Sequence, residues 1–338
     1  LIQCDKAGPL RRHRVDSIVG DGAGGVWAAS SYGAGVAHFR SSQDLVCYDA
    51  EREGVIPARV SAMAIGPEGT IFFASAGAQD GVGVVEYDGE TFEKVEGVAS
   101  GPISAMCFDQ DGRMWLGSEE GLTVYDRDFA TSFGIEDGLS SELVTSLFCD
   151  QINRIWIGTE GGGVCVYDGQ VFQSMVFDRP LCNTVNDMWE DESGGFWLAT
   201  NGGLIRRVLR SAEVSVVIAE IVADSSYPNP TEVQLPDTVG RLTIVLSGTS
   251  SADRPRDLVY RYKLVGYEAD WRQTQETEIS YPRLEAGDYR FTAEAIDRDL
   301  NYSTQSSVAI SVVSDPRIDA LNRALRSEGA QGELIGDS

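Results

Sequence analysis

One short motif recurs five times along the chain and fixes most of what it can fold into. Aligned on its aromatic residue, it reads VWAAS at Trp27, IFFAS at Phe72, MWLGS at Trp115, IWIGT at Trp156 and FWLAT at Trp197, at spacings of 45, 43, 41 and 41 residues. An alternating, strand-like run and a turn of Asp, Glu or Gly precede each copy, as in ISAMCFDQDG. Glycines and a third strand follow it, as in GGGVCVYDG. LVCYD, TFEKVE, FATSFG and VFQSMVF supply a fourth strand in the first four copies. A four-stranded meander of about 40 residues is too thin to bury both of its faces alone. The copies must therefore stack, which places the aromatic residue between neighbouring sheets rather than around a ligand. Radial stacking of such sheets makes a β-propeller.

Composition narrows the function classes. A net charge of −25 over 338 residues disfavours a direct grip on nucleic acid or on an anionic membrane surface. Six cysteines (Cys4, Cys47, Cys107, Cys149, Cys165, Cys182) form no C-x-x-C, and most sit in apolar runs as buried free thiols would. With only His13 and His38 beside them, no zinc site is expected. No apolar run approaches the roughly 20 residues that cross a bilayer. The sequence opens at Leu1 without a Met and reads as a segment of something longer.

The phrase GIEDGLSSELVTSL, Gly134 to Leu147, runs into IWIGT and its glycines. Together they resemble the two-component-regulator propeller repeats, over roughly residues 15–207. The resemblance implies the sensor region of a bacterial signalling protein, where such repeats perceive ligands. Repeat two diverges most, with Phe72 in place of Trp and the longer loop SAGAQDGVG. Leu1–Asp5 reads as a fourth strand that either closes the ring onto repeat five or follows further repeats upstream.

Beyond Arg210 the period changes to two. VSVVIAEIVAD, GRLTIVLSG, DLVYRYKLVGY, TEISYPRL, GDYRFTAEAID and SVAISVV are separated by turn residues, which predicts an immunoglobulin-like β-sandwich of about 100 residues. Tyr260, Tyr262, Trp271, Tyr281 and Tyr289 within it make it similar to the triple-tyrosine (Y_Y_Y) domain that follows regulator propellers. In that family the sandwich couples the propeller to an output module. The expected organisation is all-β: a propeller over 1–210, the sandwich over 211–314, and a short helix with the start of an output domain over 315–338. Ile318, Leu321 and Leu325 share one face of that helix. GELIGDS, Gly332 to Ser338, resembles the opening phrase of the ATPase domain in enhancer-dependent sigma-factor activators, which implies a cytoplasmic regulator. The alternative is a periplasmic sensor region.

No P-loop, nucleophile elbow, HExxH or dinucleotide fingerprint occurs, so no catalytic residue, cofactor or metal is expected. DQDG at Asp109 lacks the ligand run of a calcium loop. The acidic pairs Glu119–Glu120 and Asp187 with Glu190 and Asp191 read as solvated turn charge rather than a glycosidase pair. Loops joining strands two and three share one end of an up-and-down blade with the links between blades. That rim would carry Ser31, Tyr32, Gln79, Glu119, Glu160 and Asn201 beside Glu136, Asp137 and Ser140, the expected ligand surface. The functional expectation is a non-catalytic sensory region. A polysaccharide-active propeller enzyme and a protein-binding scaffold are the alternatives. Expected partners are a small molecule or glycan, or a protein, with a homodimer through the sandwich and C-terminal helix.

Overall fold

The structure, a computed structural model, describes residues 15–32, 35–41, 44–49, 56–77, 82–98, 101–126 and 129–314. Leu1–Asp5, Gln79 and the expected helix with GELIGDS lie outside these residues. The chain divides at Leu209 and Arg210 into two units.

In the first unit every repeat is an antiparallel sheet with its strands in chain order. Repeat one comprises Ser17–Gly20, Val26–Ala29, Gly35–Phe39 and Leu45–Asp49 (β1–β4). Repeat two comprises Val60–Ile65, Ile71–Ser75, Val84–Tyr87 and Phe92–Lys94 (β5–β8). Repeat three comprises Ala105–Phe108, Met114–Ser118, Gly121–Asp126 and Phe129–Phe133 (β9–β12). Repeat four comprises Val144–Cys149, Ile155–Thr159, Val164–Tyr167 and Phe172–Met175 (β13–β16). Repeat five has three described strands, Val185–Glu190, Gly195–Thr200 and Gly203–Val208 (β17–β19). The first strand of each repeat packs beside the first strand of the next. These are the blades of a β-propeller.

The motif explains the stacking. Successive strand residues point to opposite faces, and IWIGT is apolar at both phases because both faces are covered. Ile155 and Ile157 pack against Trp115 and Leu122 of repeat three. Trp156, on the other face, stacks on Phe196 of repeat five with ring centroids 3.8 Å apart. Likewise Met114 and Leu116 join the cluster of repeat two, while Trp115 faces Tyr167 of repeat four. Trp27 meets Phe73 and Tyr87 of repeat two. Trp27, Trp115 and Trp156 are thus each sealed by the following blade.

The second unit is a sandwich of nine strands: Val214–Val222, Ser226–Pro228, Glu232–Pro236, Arg241–Ser250, Val259–Val265, Arg272–Thr274, Glu278–Pro282, Gly287–Ile296 and Ser306–Val313 (β20–β28). One sheet runs β21-β20-β23-β26 and the other β22-β28-β27-β24-β25. Six of these strands are legible as period-two runs. β21 and β25 have three residues each, and β22 joins β28 in parallel with only Val233 and Leu235 facing the core, too few apolar positions to show a period. Tyr260 and Tyr281 are core residues, and Tyr262 and Tyr289 pack at its margin. The Tyr260 hydroxyl accepts a hydrogen bond from the Gly248 amide on the opposite sheet at 3.1 Å. A Cβ at Gly248 would lie 2.7 Å from that oxygen, so this glycine provides room for the tyrosine. Burial raises the Tyr281 phenol well above its ordinary range, and the nearby Glu268 carboxylate adds to the effect.

Candidate functional site

The two ends of the blades are built differently. At one end, the turn from first to second strand is organised by an aspartate six residues before the tryptophan. Asp150 Oδ1 accepts the amides of Ile152 and Arg154. Its Oδ2 accepts Arg154 Nε at 2.6 Å and Trp156 Nε1 at 2.9 Å. Asp109 repeats this with the amides of Asp111 and Arg113, with Arg113 Nε and with Trp115 Nε1. The carboxylates are almost fully buried, so each charge is matched by a guanidinium and by aligned N–H groups.

Repeats one and five reach the same end by another route. The residue four after the aspartate is Gly25 or Gly195, and the partner group comes from the third strand. His38, opposite Trp27 in register, places Nε2 2.8 Å from Asp21 Oδ2. Arg206, opposite Trp197, donates Nε to Asp191 Oδ2, which also accepts Trp197 Nε1. A Cβ at Gly195 would sit 2.4 Å from the Arg206 guanidinium, so glycine is what admits it. The His38 contact holds the Asp21 carboxyl below its usual range. Asp191 is held lower still, first by the Ser193 hydroxyl, then by the Gly195 amide and the Trp197 indole. In repeat two the aspartate position is Gly66 and the tryptophan position Phe72. Without an indole N–H to satisfy, the carboxylate is absent too, and a Cβ there would meet the Phe72 ring at 2.3 Å.

At the other end a hydroxyl joins repeats two, three and four each to the following blade. Ser61 Oγ donates to Ile103 O, Ser104 Oγ to Val144 O, and Thr145 Oγ1 to Val185 O. This end also carries the expected rim. The turns after the second strand bond to the links between blades, as in Glu160 N to Leu143 O and Asn201 N to Thr184 O. Several of the described rim residues serve that knitting. Ser31 donates N–H and Oγ–H to Asp16, Asp137 caps Gly134, and Glu160 O accepts Ser141 Oγ. Asn201 Oδ1 accepts Asn186 Nδ2, and the Tyr32 amide donates to Ser30 Oγ. Glu119 and Glu136 are exposed. Ser140 differs, with a buried Oγ that has no hydrogen-bond partner.

A cavity of about 640 Å³ opens at the aspartate end, away from the rim. Phe108 and Phe148 give it aromatic walls, and Gln110, Gln151, Asp111 and Glu190 give it polar ones. Its lining also bolts three blades together. Gln110 Nε2 donates to Asp150 O and Gln151 O, Gln110 N donates to Asn153 Oδ1, and Gln151 N donates to Glu190 Oε2. Asp109 and Asp150, also in the lining, have both carboxylate oxygens taken up by their own turns. The remaining groups offer amide donors, carboxylate acceptors and ring faces, a set that fits a neutral polyhydroxylated or cationic ligand and repels anions.

Residues 97–120 and 138–161 match the two-component regulator propeller family, and residues 251–313 match the Y_Y_Y domain. The chain carries regulator propeller repeats followed by a Y_Y_Y domain. The propeller matches fall on repeats three and four, each covering the link, the first strand and the tryptophan strand. The Y_Y_Y match begins within the sandwich, not at Val214. Among curated proteins, none matches the chain. Solved structures with similarity include the extracellular domain of a hybrid two-component system of B. thetaiotaomicron, at 17% identity, with 92% of this chain and 57% of that one covered and a TM-score of 0.49. The extracellular domain of a one-component system of B. thetaiotaomicron has 14% identity, 90% and 59% coverage and a TM-score of 0.47. PorZ, a surface component of the type-IX secretion system of Porphyromonas gingivalis, has 17% identity, 89% and 45% coverage and a TM-score of 0.44. The chain thus spans less than two thirds of each of these three. No helix among the described residues is long and apolar enough to cross a membrane.

Proposed function

We propose that this region is the ligand-sensing part of a bacterial signal-transduction regulator, and that it is not itself an enzyme. The observation that carries the reading is the pairing of regulator propeller repeats with a Y_Y_Y domain in one chain. The cavity supplies a physical route. A ligand that recruits the Gln151 amide or the Glu190 carboxylate competes with the bonds that fix blades three, four and five relative to one another. Such a ligand favours one blade arrangement over another by the difference in its contacts, which is all that coupling requires. We propose that the sandwich passes this bias to an output domain, as the family resemblance implies.

The compartment is a separate matter. Burial raises the thiols of Cys107, Cys149 and Cys165, the second and third to about 11, so they are poor thiolates in any surroundings. They therefore lend no weight to the cytoplasmic expectation over the periplasmic one.

Calorimetric titration of the chain with a panel of neutral oligosaccharides tests the reading, with product analysis run in parallel. Saturable binding that Glu190→Ala weakens at least about tenfold, a loss of about 1.4 kcal/mol, supports it. Conversion of a glycan to product overturns the non-catalytic assignment. Binding that is indifferent to Glu190→Ala removes the cavity from it.

A further inference from the structure

The cavity of about 640 Å³ is uneven in charge and in hydrogen-bonding groups. Four carboxylates line it, those of Asp109, Asp111, Asp150 and Glu190, and no lysine, arginine or histidine does. Asp109 and Asp150 are matched by Arg113 and Arg154, and Asp111 shares the Arg113 guanidinium through Nη2 at 3.1 Å. Glu190 has no such partner. Among the described residues its carboxylate accepts the Gln151 amide at Oε2, 3.1 Å away, and no cation pairs with it. Donors are correspondingly scarce. Gln110 commits Nε2 to two carbonyls, Asp150 O at 3.3 Å and Gln151 O at 3.0 Å, and the Cys149 thiol faces Asp150 O and Asn153 Oδ1. Of the side chains in the lining, the Gln151 amide is the donor left open. A neutral polyol needs donors and acceptors together, whereas a primary ammonium donates three hydrogen bonds and accepts none. Phe108 and Phe148 add ring walls, and an aromatic face attracts a cation lying within about 6 Å. Among the described residues no three His, Cys, Asp or Glu side chains converge as a metal ion requires, so the cation that fits is an organic one.

We infer that this cavity takes a primary ammonium ligand with an apolar or aromatic body: the charged nitrogen sits at Glu190 and the body lies against Phe108 and Phe148. The inference deepens the sensing role proposed for this cavity and rests on it. Glu190 is the residue that sets specificity, because it supplies the charge that no protein group offsets. A neutral ligand that covers Glu190 strips water from a carboxylate without giving it a charge partner. An ammonium replaces the water and supplies the partner at once, through charge-assisted hydrogen bonds. The same carboxylate is bonded to repeat four through the Gln151 amide, so a ligand drawn to Glu190 acts at the junction of repeats four and five.

Calorimetric titration with 2-phenylethylammonium, 2-phenylethanol and phenylacetate tests this, because the three share a ring and differ mainly in the charge of the head group. The ammonium should bind saturably and at least about tenfold more tightly than the alcohol, and phenylacetate should not bind. Glu190→Gln keeps an acceptor for the Gln151 amide and removes the charge. That variant should melt like the parent and bring the ammonium to within about twofold of the alcohol. Equal binding of ammonium and alcohol by the parent overturns the inference. So does a preference for the ammonium that survives in Glu190→Gln, or an ammonium that fails to bind at concentrations on the order of 10 mM. The neutral oligosaccharides separate this failure from that of the sensing role. If they bind and Glu190→Ala weakens them, while the ammonium gains nothing over the alcohol, the sensing role stands and only its cationic ligand falls.

Discussion

The indole Nε1 of Trp156 donates to Oδ2 of Asp150, 2.9 Å away and six residues earlier, and the same oxygen holds Arg154 Nε. One buried carboxylate therefore fixes the hairpin turn, the side chain wedged between blades and a guanidinium. Its loss is felt in three places. Asp150→Ala strands a buried indole N–H, an unpaired arginine and two turn amides, for which about 3–5 kcal/mol of destabilisation is expected. Asp191→Ala, at the more exposed turn of repeat five, should perturb stability less. Urea midpoints of the two variants check the order, and equal shifts would refute the burial argument.

Acid should unfold the propeller in a predictable window. Asp21 and Asp191 have depressed folded pKa values, so each stabilises the fold above the unfolded carboxyl value of about 4. That contribution is lost as pH falls from there towards the folded value. Melting temperature should be flat from neutrality to about pH 5 and decline below about pH 4. Asp191→Asn should shallow the decline, and an unchanged slope would assign the acid sensitivity to other groups.

Repeat two invites reconstruction. Gly66→Asp alone puts a Cβ against the Phe72 ring and a charge beside no cation, with Glu86 opposite Phe72 in register. About 1–3 kcal/mol of destabilisation is expected. Adding Phe72→Trp and Thr70→Arg rebuilds the arrangement of repeats three and four. It should restore at least half of that loss, a coupling within the roughly 0.5–3 kcal/mol seen for contacting residues. Purely additive effects across the set would show that the aspartate and tryptophan do not act as a unit.

In the sandwich, Tyr260→Phe removes the acceptor of the buried Gly248 amide while keeping the ring. A destabilisation of about 1–3 kcal/mol is expected, the penalty of an unsatisfied buried N–H. The Gly248 amide should lose its protection in hydrogen exchange, and unchanged protection would mean that another acceptor takes over.

The aspartate-to-tryptophan spacing is present in the sequence at Asp109–Trp115, Asp150–Trp156 and Asp191–Trp197, and so is its paired loss at Gly66 and Phe72. It is easily passed over because aspartate in a turn has a sufficient local explanation in capping amides. The recurring Ser61, Ser104 and Thr145 were hidden for the same reason, since a polar residue at the start of a strand looks solvated. Topology alone puts Ser31, Glu160 and Asn201 at the end of the blades that carries the links, yet sequence could not show that their hydrogen bonds are spent on turns and links there. The cavity was not legible at all, because Phe108, Phe148, Gln110, Gln151 and Glu190 come from three different repeats and share no local pattern.

The sequence by itself determined the repeat, its four-strand plan, the phase that covers both faces, and the change to a period-two sandwich beyond Arg210. Periodicity is a local property, and burial on one or both faces writes itself directly into spacing. Only the tertiary structure decided which third-strand residue, His38 or Arg206, reaches back to a distant aspartate, and which end of the blades holds an open pocket. Those outcomes depend on side chains from separate strands meeting in space, where the glycine at Gly195 makes room for the Arg206 guanidinium of the next strand.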